Sequence, residues 1–463
     1  MASQEGQVCA SCAGFNLAAA FDPDQFETLP RLDIHSLGTL ESVHPGFQDA
    51  LKKRMQNPSP EWIRCVGSWN PPDPNNSDIR SGCSFCALLI DMAVREPSVL
   101  VALPSHMLYD IAETSTGEFT CSMPENSLLV ISKPLLALRT GEGQEGWKDW
   151  VLSAKTRLLR HDTIDHDVLV NWLATCIAQH GDECTPTAGP PVPKLKLIDC
   201  RARRIINVLP EQKYEYVALS YVWGIGPLEP YIYPMLPENL PLVIRDAMAL
   251  VLRLGYQYLW VDRYCIWQDE PDQSHKMSQV NKMNQIYGGA LLTIYACAGE
   301  EPNYGLPGVS TRQRYDFQLS KIVSGMTLVT NRGHHAQIKR ISTSRWKSRG
   351  WTFQEEALSR RRLYITDYQA SFVCSKVTYF EHLESPLSFS SNTGDFERPF
   401  WNGINVPYGI WPIISQYSSR QLTYQGDRIN AITGVLNQWS QLHPNCFHYW
   451  GVPVVGAPSC WRL

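Results

Sequence analysis

Two pairs of cysteines have the spacing of a metal site. Cys9 and Cys12 form one C-x-x-C pair, and Cys83 and Cys86 form the other. Four thiolates are enough to hold a zinc ion in the tetrahedral geometry of structural sites. The pairs lie about 70 residues apart, which is wider than the compact spacing of most zinc motifs. We expect a structural zinc site here, and the alternative is that Cys86 belongs to a hydrophobic core.

Two carboxylates, Asp262 and Glu355, are the candidates for catalysis. Asp262 ends the apolar run YLWVD, and Glu355 lies in the string WTFQEE. Trp351 precedes Glu355 by four residues, so on a helix both side chains lie on the same face. An aromatic ring beside a carboxylate is typical of a site that stabilises a cationic intermediate. The alternatives are that Asp262 caps a loop and that a helical glutamate, such as Glu356, is a solvated surface residue.

The elements that must position these carboxylates predict an α/β core. Alternating and β-branched runs predict strands, and apolar residues at a 3.6-residue period predict helices. The order strand, helix, strand, helix, strand indicates parallel pairing, so we expect a small, mainly parallel sheet flanked by helices. The predicted strands are residues 194–199, 203–209, 217–222, 258–262, 290–296, 362–366 and 371–380, and the predicted helices are residues 241–254, 274–287 and 343–358.

The predicted sheet brings several polar and aromatic residues to one rim. Ser220 and Trp223 close one crossover strand, and Asp262 closes the next. Open α/β sheets bind ligands outside the carboxyl ends of their strands. We therefore expect Ser220, Trp223, Gln268 and Trp351 to be binding residues near the carboxylates. The alternative for Trp223 is that it only fills the edge of the sheet.

Composition divides the chain into three segments. Residues 1–193 contain both cysteine pairs and end in a proline-rich linker, residues 194–380 contain the α/β core, and residues 381–463 form a C-terminal segment. We expect both terminal segments to be mixed α/β.

Charge and hydropathy exclude several classes of protein. A net charge of −4 with scattered basic residues gives no nucleic-acid surface. The sequence has no apolar window long enough for a membrane span and no signal peptide at its start, so we expect a cytoplasmic protein with reduced cysteines. It also contains no G-x-S-x-G, P-loop or H-E-x-x-H motif.

Three strings together identify a family. They are YVALSYVWG at 216–224, YLWVDRYCIWQDE at 258–270 and SRGWTFQEE at 348–356. With the two segments between them, they resemble the fungal heterokaryon incompatibility (HET) domain, over a motif core of residues 216–356. Five ordered blocks make a chance match improbable, whereas any one of them would be a weak signal.

The resemblance implies a function in fungal non-self recognition, where activation of the domain leads to regulated cell death, a form of innate immunity. HET domains have been considered remote relatives of Toll/interleukin receptor (TIR) domains, some of which cleave the nicotinamide bond of NAD. This relationship implies NAD as substrate and a carboxylate that stabilises the ribosyl centre, with Glu355 the better candidate and Asp262 the second. One alternative is a non-catalytic adaptor that acts through self-association or a protein partner, and another is a domesticated HET relative with a metabolic or developmental role.

The chain departs from the family pattern at three positions and at its end. Trp267 stands where Asn usually precedes Gln268, and Arg263 and Tyr264 replace smaller residues. A large indole at the rim would block a crevice. This chain would then be a weakened copy of the family's domain. The ending PSCWRL stops short of what such proteins usually carry, so we expect a truncated or misread C-terminus.

Overall fold

A computed structural model describes the chain in ranges separated by gaps. These ranges are residues 8–9, 12, 15, 64–69, 83–91, 98–103, 107–110, 127–130, 157–186, 192–209, 211–224, 231–267, 274–315, 318–323, 326–331, 333–384, 387–388 and 409–455. The chain divides into two compact units. The first comprises Met1–Leu159, Gln318–Ala336 and His382–Ser385, and the second comprises Arg160–Phe317, Gln337–Glu381 and Pro386–Leu463.

Strands and helices are numbered in chain order. The strands are β1 (Arg64–Trp69), β2 (Ser98–Leu103), β3 (Met107–Asp110), β4 (Ser127–Val130), β5 (Lys196–Asp199), β6 (Arg204–Asn207), β7 (Tyr216–Ser220), β8 (Tyr258–Trp260), β9 (Leu292–Ala296), β10 (Ser320–Val323), β11 (Met326–Asn331), β12 (Arg362–Ile365), β13 (Ala370–Val373), β14 (Val377–Phe380), β15 (Leu387–Ser388), β16 (Cys446–Tyr449) and β17 (Val452–Val455). The α-helices are α1 (Ser84–Asp91), α2 (His166–Gln179), α3 (Gly181–Cys184), α4 (Leu242–Arg253), α5 (Asp262–Cys265), α6 (Ser274–Val280), α7 (Met283–Gly289), α8 (Gly333–Thr343), α9 (Arg345–Ser348), α10 (Thr352–Leu358), α11 (Ile410–Ser418) and α12 (Asn430–Leu442).

The first unit contains an antiparallel sheet and the helix α1. The strand order is β1-β2-β3-β4-β11-β10, and every neighbouring pair is antiparallel. The apolar helix α1 begins directly after Cys83, so the second cysteine pair lies at the start of this helix.

The second unit is built on a mixed sheet with the order β15-β14-β13-β12-β9-β7-β8-β5-β6. The pairs β12-β9, β9-β7 and β7-β8 are parallel, whereas the other five pairs are antiparallel. The fold class is therefore mixed α/β. The prediction of a small, mainly parallel sheet is wrong for the sheet as a whole, because antiparallel hairpins extend the parallel centre on both sides.

The parallel centre contains a switch point in its strand order. The chain passes from β7 to β8 on one side of β7, and it then returns to place β9 on the other side. Such a reversal leaves a crevice outside the carboxyl ends of the two central strands. In this chain that position is the end of β7, at Ser220, and the end of β9, at Ala296.

The central strands form where the sequence predicts them because they are continuous apolar runs. All residues of β7 and β9 are buried, as expected for parallel strands covered on both faces. The predicted helix at residues 241–254 is also confirmed. Pro241 is the N-cap of α4, which ends at Arg253 shortly before Gly255.

Two predicted helices are interrupted in the structure. The helix expected over residues 274–287 is two helices, α6 and α7, separated at Asn281 and Lys282. The helix expected over residues 343–358 is the pair α9 and α10, which are separated by a bend at Gly350. Among the described residues, no helix combines the length and apolar content required to cross a bilayer.

Candidate functional site

Ser220 connects the central strand to two helices that follow much later in the chain. Its Oγ donates a hydrogen bond to the Glu355 carboxylate on α10. The same oxygen accepts a hydrogen bond from Trp346 Nε1 on α9 at 2.6 Å. All three side chains are buried. The end of β7 is thus fixed to a carboxylate by a hydroxyl that is itself held by an indole.

Glu355 lies in the first turn of α10, and its main chain is also anchored. Its carbonyl oxygen accepts hydrogen bonds from the Tyr295 hydroxyl at 3.0 Å and from Ser359 Oγ at 2.8 Å. Burial, and after it the negative charge of Asp262, raise the pKa of Glu355 to about 7. The hydrogen bond from Ser220 and the charge of Arg349 oppose this rise. Glu355 therefore changes its charge near neutral pH.

Asp262 follows β8 and begins the short helix α5. Its Oδ2 accepts a hydrogen bond from Trp223 Nε1 at 2.8 Å, and its Oδ1 accepts one from the Arg263 amide at 2.7 Å. Burial raises the pKa of Asp262 to about 6, although the Trp223 hydrogen bond and nearby arginines lower it. Trp223 and Asp262 are therefore in direct contact at the predicted rim. Glu355 is close enough for the Asp262 charge to raise its pKa.

Two arginines lie beside the carboxylates. Arg349 donates a hydrogen bond to the Tyr221 carbonyl at 3.3 Å, and Arg263 donates one to the Trp223 carbonyl at 3.0 Å. The Arg263 guanidinium also lies 5.7 Å from the centre of the Trp223 ring. Trp223 and Arg349 are half-buried, as is Asp262. The partly exposed layer of the site thus combines the Arg349 cation, an aromatic ring and a carboxylate, and Arg263 and Glu355 are buried behind it.

Two buried tyrosine hydroxyls have no hydrogen-bond partner within the described part of the chain. Tyr287 and Glu355 are close enough to affect each other's pKa, and the charge of Asp262 raises the pKa of Tyr221. A buried hydroxyl without a partner is destabilising. Each carboxylate therefore has a neighbouring polar atom that a bound water or ligand would satisfy.

A small cavity lies at the switch point. It is bounded by Tyr221 and Val222 after β7, by Ala296 at the end of β9, and by Gly299 and Pro302 in the following loop. Its volume is about 10 Å³, which is room for roughly one water molecule. A ligand larger than water would require this edge of the sheet to open.

One sequence-based expectation on α10 is corrected by the structure, and one stays a prediction. Trp351, which we predict to be a binding residue, is the N-cap of α10 and packs on the hydrophobic core, and the indole that contacts the Ser220–Glu355 pair is that of Trp346. Glu356 is buried, not solvated. Lys347 Nζ donates to both of its carboxylate oxygens at 2.7 and 2.6 Å, and Arg420 contacts it at 3.4 Å. Gln268 lies outside the described residues.

One known protein family matches the segment of the chain that contains this site. Residues 216–355 match the family described as heterokaryon incompatibility protein (HET). These residues form a HET domain. No curated protein and no solved structure matches the chain.

The HET domain contains the central residues of the site. The matched segment begins at Tyr216, the first residue of β7, and ends at Glu355. Ser220, Trp223, Asp262 and Trp346 all lie between these limits. Trp267, which departs from the family pattern, lies under the Lys196 ammonium at 3.6 Å and beside Tyr233.

Sequence reasoning did not identify Trp346 or Arg349 as site residues. Both precede the WTFQEE string, and a tryptophan in a predicted amphipathic helix is indistinguishable from a core residue. Arg349 belongs to the string SRGWTFQEE, but no local pattern indicates that it lies beside two carboxylates. Their contribution depends on the bend between α9 and α10.

The four cysteines predicted to bind metal lie together in the first unit. Their sulfur atoms are all within 4.8 Å of one another, so the cluster could hold a metal ion. Cys86 Sγ lies 3.3 Å from Cys12 Sγ and 3.7 Å from Cys9 Sγ. The amides of Cys9 and Cys86 both point at Cys83 Sγ, at 3.4 and 3.3 Å. Amide groups of this kind stabilise thiolate ligands.

Proposed function

We propose that the HET domain of this chain hydrolyses the N-glycosidic bond of NAD and thereby acts as an effector of fungal non-self recognition and regulated cell death. The observation that carries the proposal is the buried Glu355 carboxylate beside Asp262, behind the switch point of the sheet. Such crevices are the usual ligand sites of open α/β sheets. The suggested relationship of HET domains to TIR domains supports the choice of NAD.

The chemistry requires stabilisation of a positive charge on the ribose. The bond between ribose C1′ and the nicotinamide nitrogen breaks, and the electron pair leaves with nicotinamide. Water then adds to C1′ and loses one proton, which gives ADP-ribose. An ionised carboxylate next to C1′ stabilises the cationic ribosyl centre. We assign this role to Glu355, and we assign to Asp262 the orientation of the attacking water.

The outer residues suit the rest of the dinucleotide. Arg349, which is half-buried, carries the charge and the planar donors that bind phosphate oxygens. Trp223 is half-buried, and its ring offers a face for a heterocyclic base. Because the cavity at the switch point holds about one water molecule, NAD binding requires this edge to open. Control of this opening would also regulate the toxic activity, because NAD could bind only in the open state.

Expression in yeast tests the biological half of the proposal. We expect induction of the wild-type chain to lower total NAD before viability falls, whereas Glu355→Gln and Asp262→Asn leave both unchanged. Glu238→Gln, which alters an exposed carboxylate, is the control and should behave as wild type. Cell death without NAD loss, or NAD loss that persists in Glu355→Gln, would refute the proposed reaction.

A non-catalytic adaptor is the second candidate, and the hairpin β16-β17 favours it. Tyr449 and Trp450 are 70% and 75% exposed at its tip, and neighbouring Phe447 and Val452 are also exposed. Exposed aromatic clusters are typical of protein interfaces. In this alternative a second copy of the chain covers the hairpin. Trp450→Ser would then abolish both self-association and toxicity, while Glu355→Gln would abolish neither.

We also propose that Cys9, Cys12, Cys83 and Cys86 hold one structural zinc ion. The support is the convergence of four sulfur atoms from two distant segments, with amide groups directed at Cys83. Purified protein should contain zinc that is lost in the Cys83→Ser/Cys86→Ser variant. An equal zinc content in the variant would rule out this site.

A further inference from the structure

A second cluster of metal-ligating side chains lies in the second unit, and the sequence motifs do not indicate it. Its members are Cys176 near the end of α2, His180 directly after α2, Cys184 at the end of α3 and Cys374 between β13 and β14. One ligand atom from each lies within 4.8 Å of the others. The three cysteines are buried, and His180 is half-buried.

Local structure places three of these residues on one side of a helical hairpin. Cys176 and His180 are four residues apart, which puts them on the same helical face, and the His180 amide donates to the Cys176 carbonyl at 3.2 Å. Gly181 has φ +53. This left-handed conformation breaks the helix, so α2 does not continue past it. The chain then turns into α3, which brings Cys184 back toward Cys176.

The fourth member comes from almost 200 residues later in the chain. Cys374 follows β13, and its Sγ lies 3.3 Å from His180 Nδ1. Zinc with bonds of about 2.3 Å to sulfur and about 2.0 Å to nitrogen separates tetrahedral ligand atoms by roughly 3.5–3.8 Å. The observed spacing requires only small side-chain adjustments to match this geometry.

A buried arginine indicates that the cluster carries negative charge. Arg361 is 2% exposed, and its Nε lies 3.2 Å from Cys176 Sγ while its Nη1 donates to the Leu291 carbonyl at 3.2 Å. No carboxylate forms an ion pair with Arg361 within the described ranges. A buried cation without a counter-charge is strongly unfavourable. Zn²⁺ with three thiolates and a neutral histidine carries one negative charge, which Arg361 would neutralise.

We propose that Cys176, His180, Cys184 and Cys374 bind one zinc ion as a structural Cys₃His site. The site joins the α2-α3 hairpin to the turn between β13 and β14. Other contacts join the same two parts of the fold. The rings of Trp172 on α2 and Tyr379 on β14 stack with their centres 5.5 Å apart. The Ser375 hydroxyl also donates to the Glu183 carbonyl at 3.1 Å.

The zinc content of variant proteins distinguishes this site from the proposed site in the first unit. We expect two zinc ions per wild-type chain, and one in the Cys83→Ser/Cys86→Ser variant. Adding His180→Ala and Cys374→Ala to that variant should remove the remaining ion. Cys200→Ser alters a buried cysteine outside both clusters and should leave the zinc content of the wild-type chain unchanged.

Two further measurements keep the proposal testable if the alanine variants do not fold. His180→Cys preserves four ligands and should retain zinc in the Cys83→Ser/Cys86→Ser background. Cobalt added to the Cys83→Ser/Cys86→Ser protein after its zinc has been removed should give the absorption bands of a tetrahedral, thiolate-rich site. A folded Cys83→Ser/Cys86→Ser protein that binds neither zinc nor cobalt would overturn the proposal. A disulfide between two of these cysteines, found by mass spectrometry of freshly purified protein, would do the same.

Discussion

Glu355 and Glu356 are adjacent on α10, but their environments shift their pKa values in opposite directions. Burial and the charge of Asp262 raise the pKa of Glu355 to about 7. Glu356 is equally buried, but the charges of Lys347 and Arg420 outweigh the effect of burial and lower its pKa. Neighbouring carboxyl groups held in different protonation states often have different roles. This difference supports the proposed assignment of Glu355, rather than Glu356, as the catalytic carboxylate.

The raised pKa of Glu355 predicts a specific dependence of stability on pH. The folded state holds this proton more tightly than the unfolded state, whose value is near 4.5. Stability should therefore fall as pH rises from about 4.5 through about 7. Glu355→Gln should remove this part of the slope, which amounts to at most roughly 3 kcal/mol. Urea unfolding of both proteins at pH 5 and pH 8 measures it, and parallel pH slopes would contradict the assignment.

The hydroxyl of Ser220 should lower the pKa of Glu355, because it donates to the carboxylate. We expect Ser220→Ala to raise that pKa above its wild-type value, and to cost about 1–3 kcal/mol since the Trp346 indole N–H loses its acceptor. Ser359→Ala is the matched control because Ser359 donates to the Glu355 main-chain carbonyl. Carbon-13 NMR titration of the glutamate carboxyls reports both variants, and an unchanged Glu355 pKa in Ser220→Ala would disprove the effect.

Arg349 should hold down the pKa of both carboxylates at once, since its charge favours the ionised form of each. Arg349→Gln should raise the pKa of Asp262 and of Glu355 together. Arg345→Gln changes an exposed arginine one turn earlier and should change neither. The same titration by NMR decides the point. A rise for only one carboxylate would mean that Arg349 does not face both.

Glu356→Gln should destabilise the fold and leave the Glu355 carboxylate in place. It leaves the Lys347 ammonium without its anionic partner in a mostly buried position, which typically costs about 3–5 kcal/mol. The contribution of Glu356 is present above its ordinary pKa and is lost as pH falls through its lowered value. Urea unfolding should show that adding Lys347→Met to Glu356→Gln recovers part of the loss. A double variant no more stable than Glu356→Gln would argue against this pairing.

The sequence predicts the central strands and α4 well because their signals are local. The apolar runs of β7 and β9 and the proline before α4 need no distant partner. The bend at Gly350 has no such signal. Its amide donates to the Gln421 carbonyl at 2.6 Å, and a Cβ there would lie 2.4 Å from Leu422. Segments about 70 residues apart therefore decide where α9 ends and where Trp346 lies.

The site was predictable only in part for the same reason. Ser220 and Asp262 follow predicted strands, so their placement at one rim is a consequence of the parallel order. The orientation of Glu355 toward Ser220 depends on α10, whose start is set by the bend. Cys176, His180 and Cys184 have regular spacing, but Cys374 completes the cluster only because β13 and β14 fold back against α2.

Turnover of NAD by the purified full chain tests the central claim most directly. We expect the wild type and Glu238→Gln to release nicotinamide and ADP-ribose in equal amounts. Glu355→Gln should be slower by at least about 100-fold, with the same circular dichroism spectrum as the wild type. Turnover that survives in folded Glu355→Gln, or a wild-type protein that releases no nicotinamide, would contradict the assignment of this carboxylate as the catalytic group.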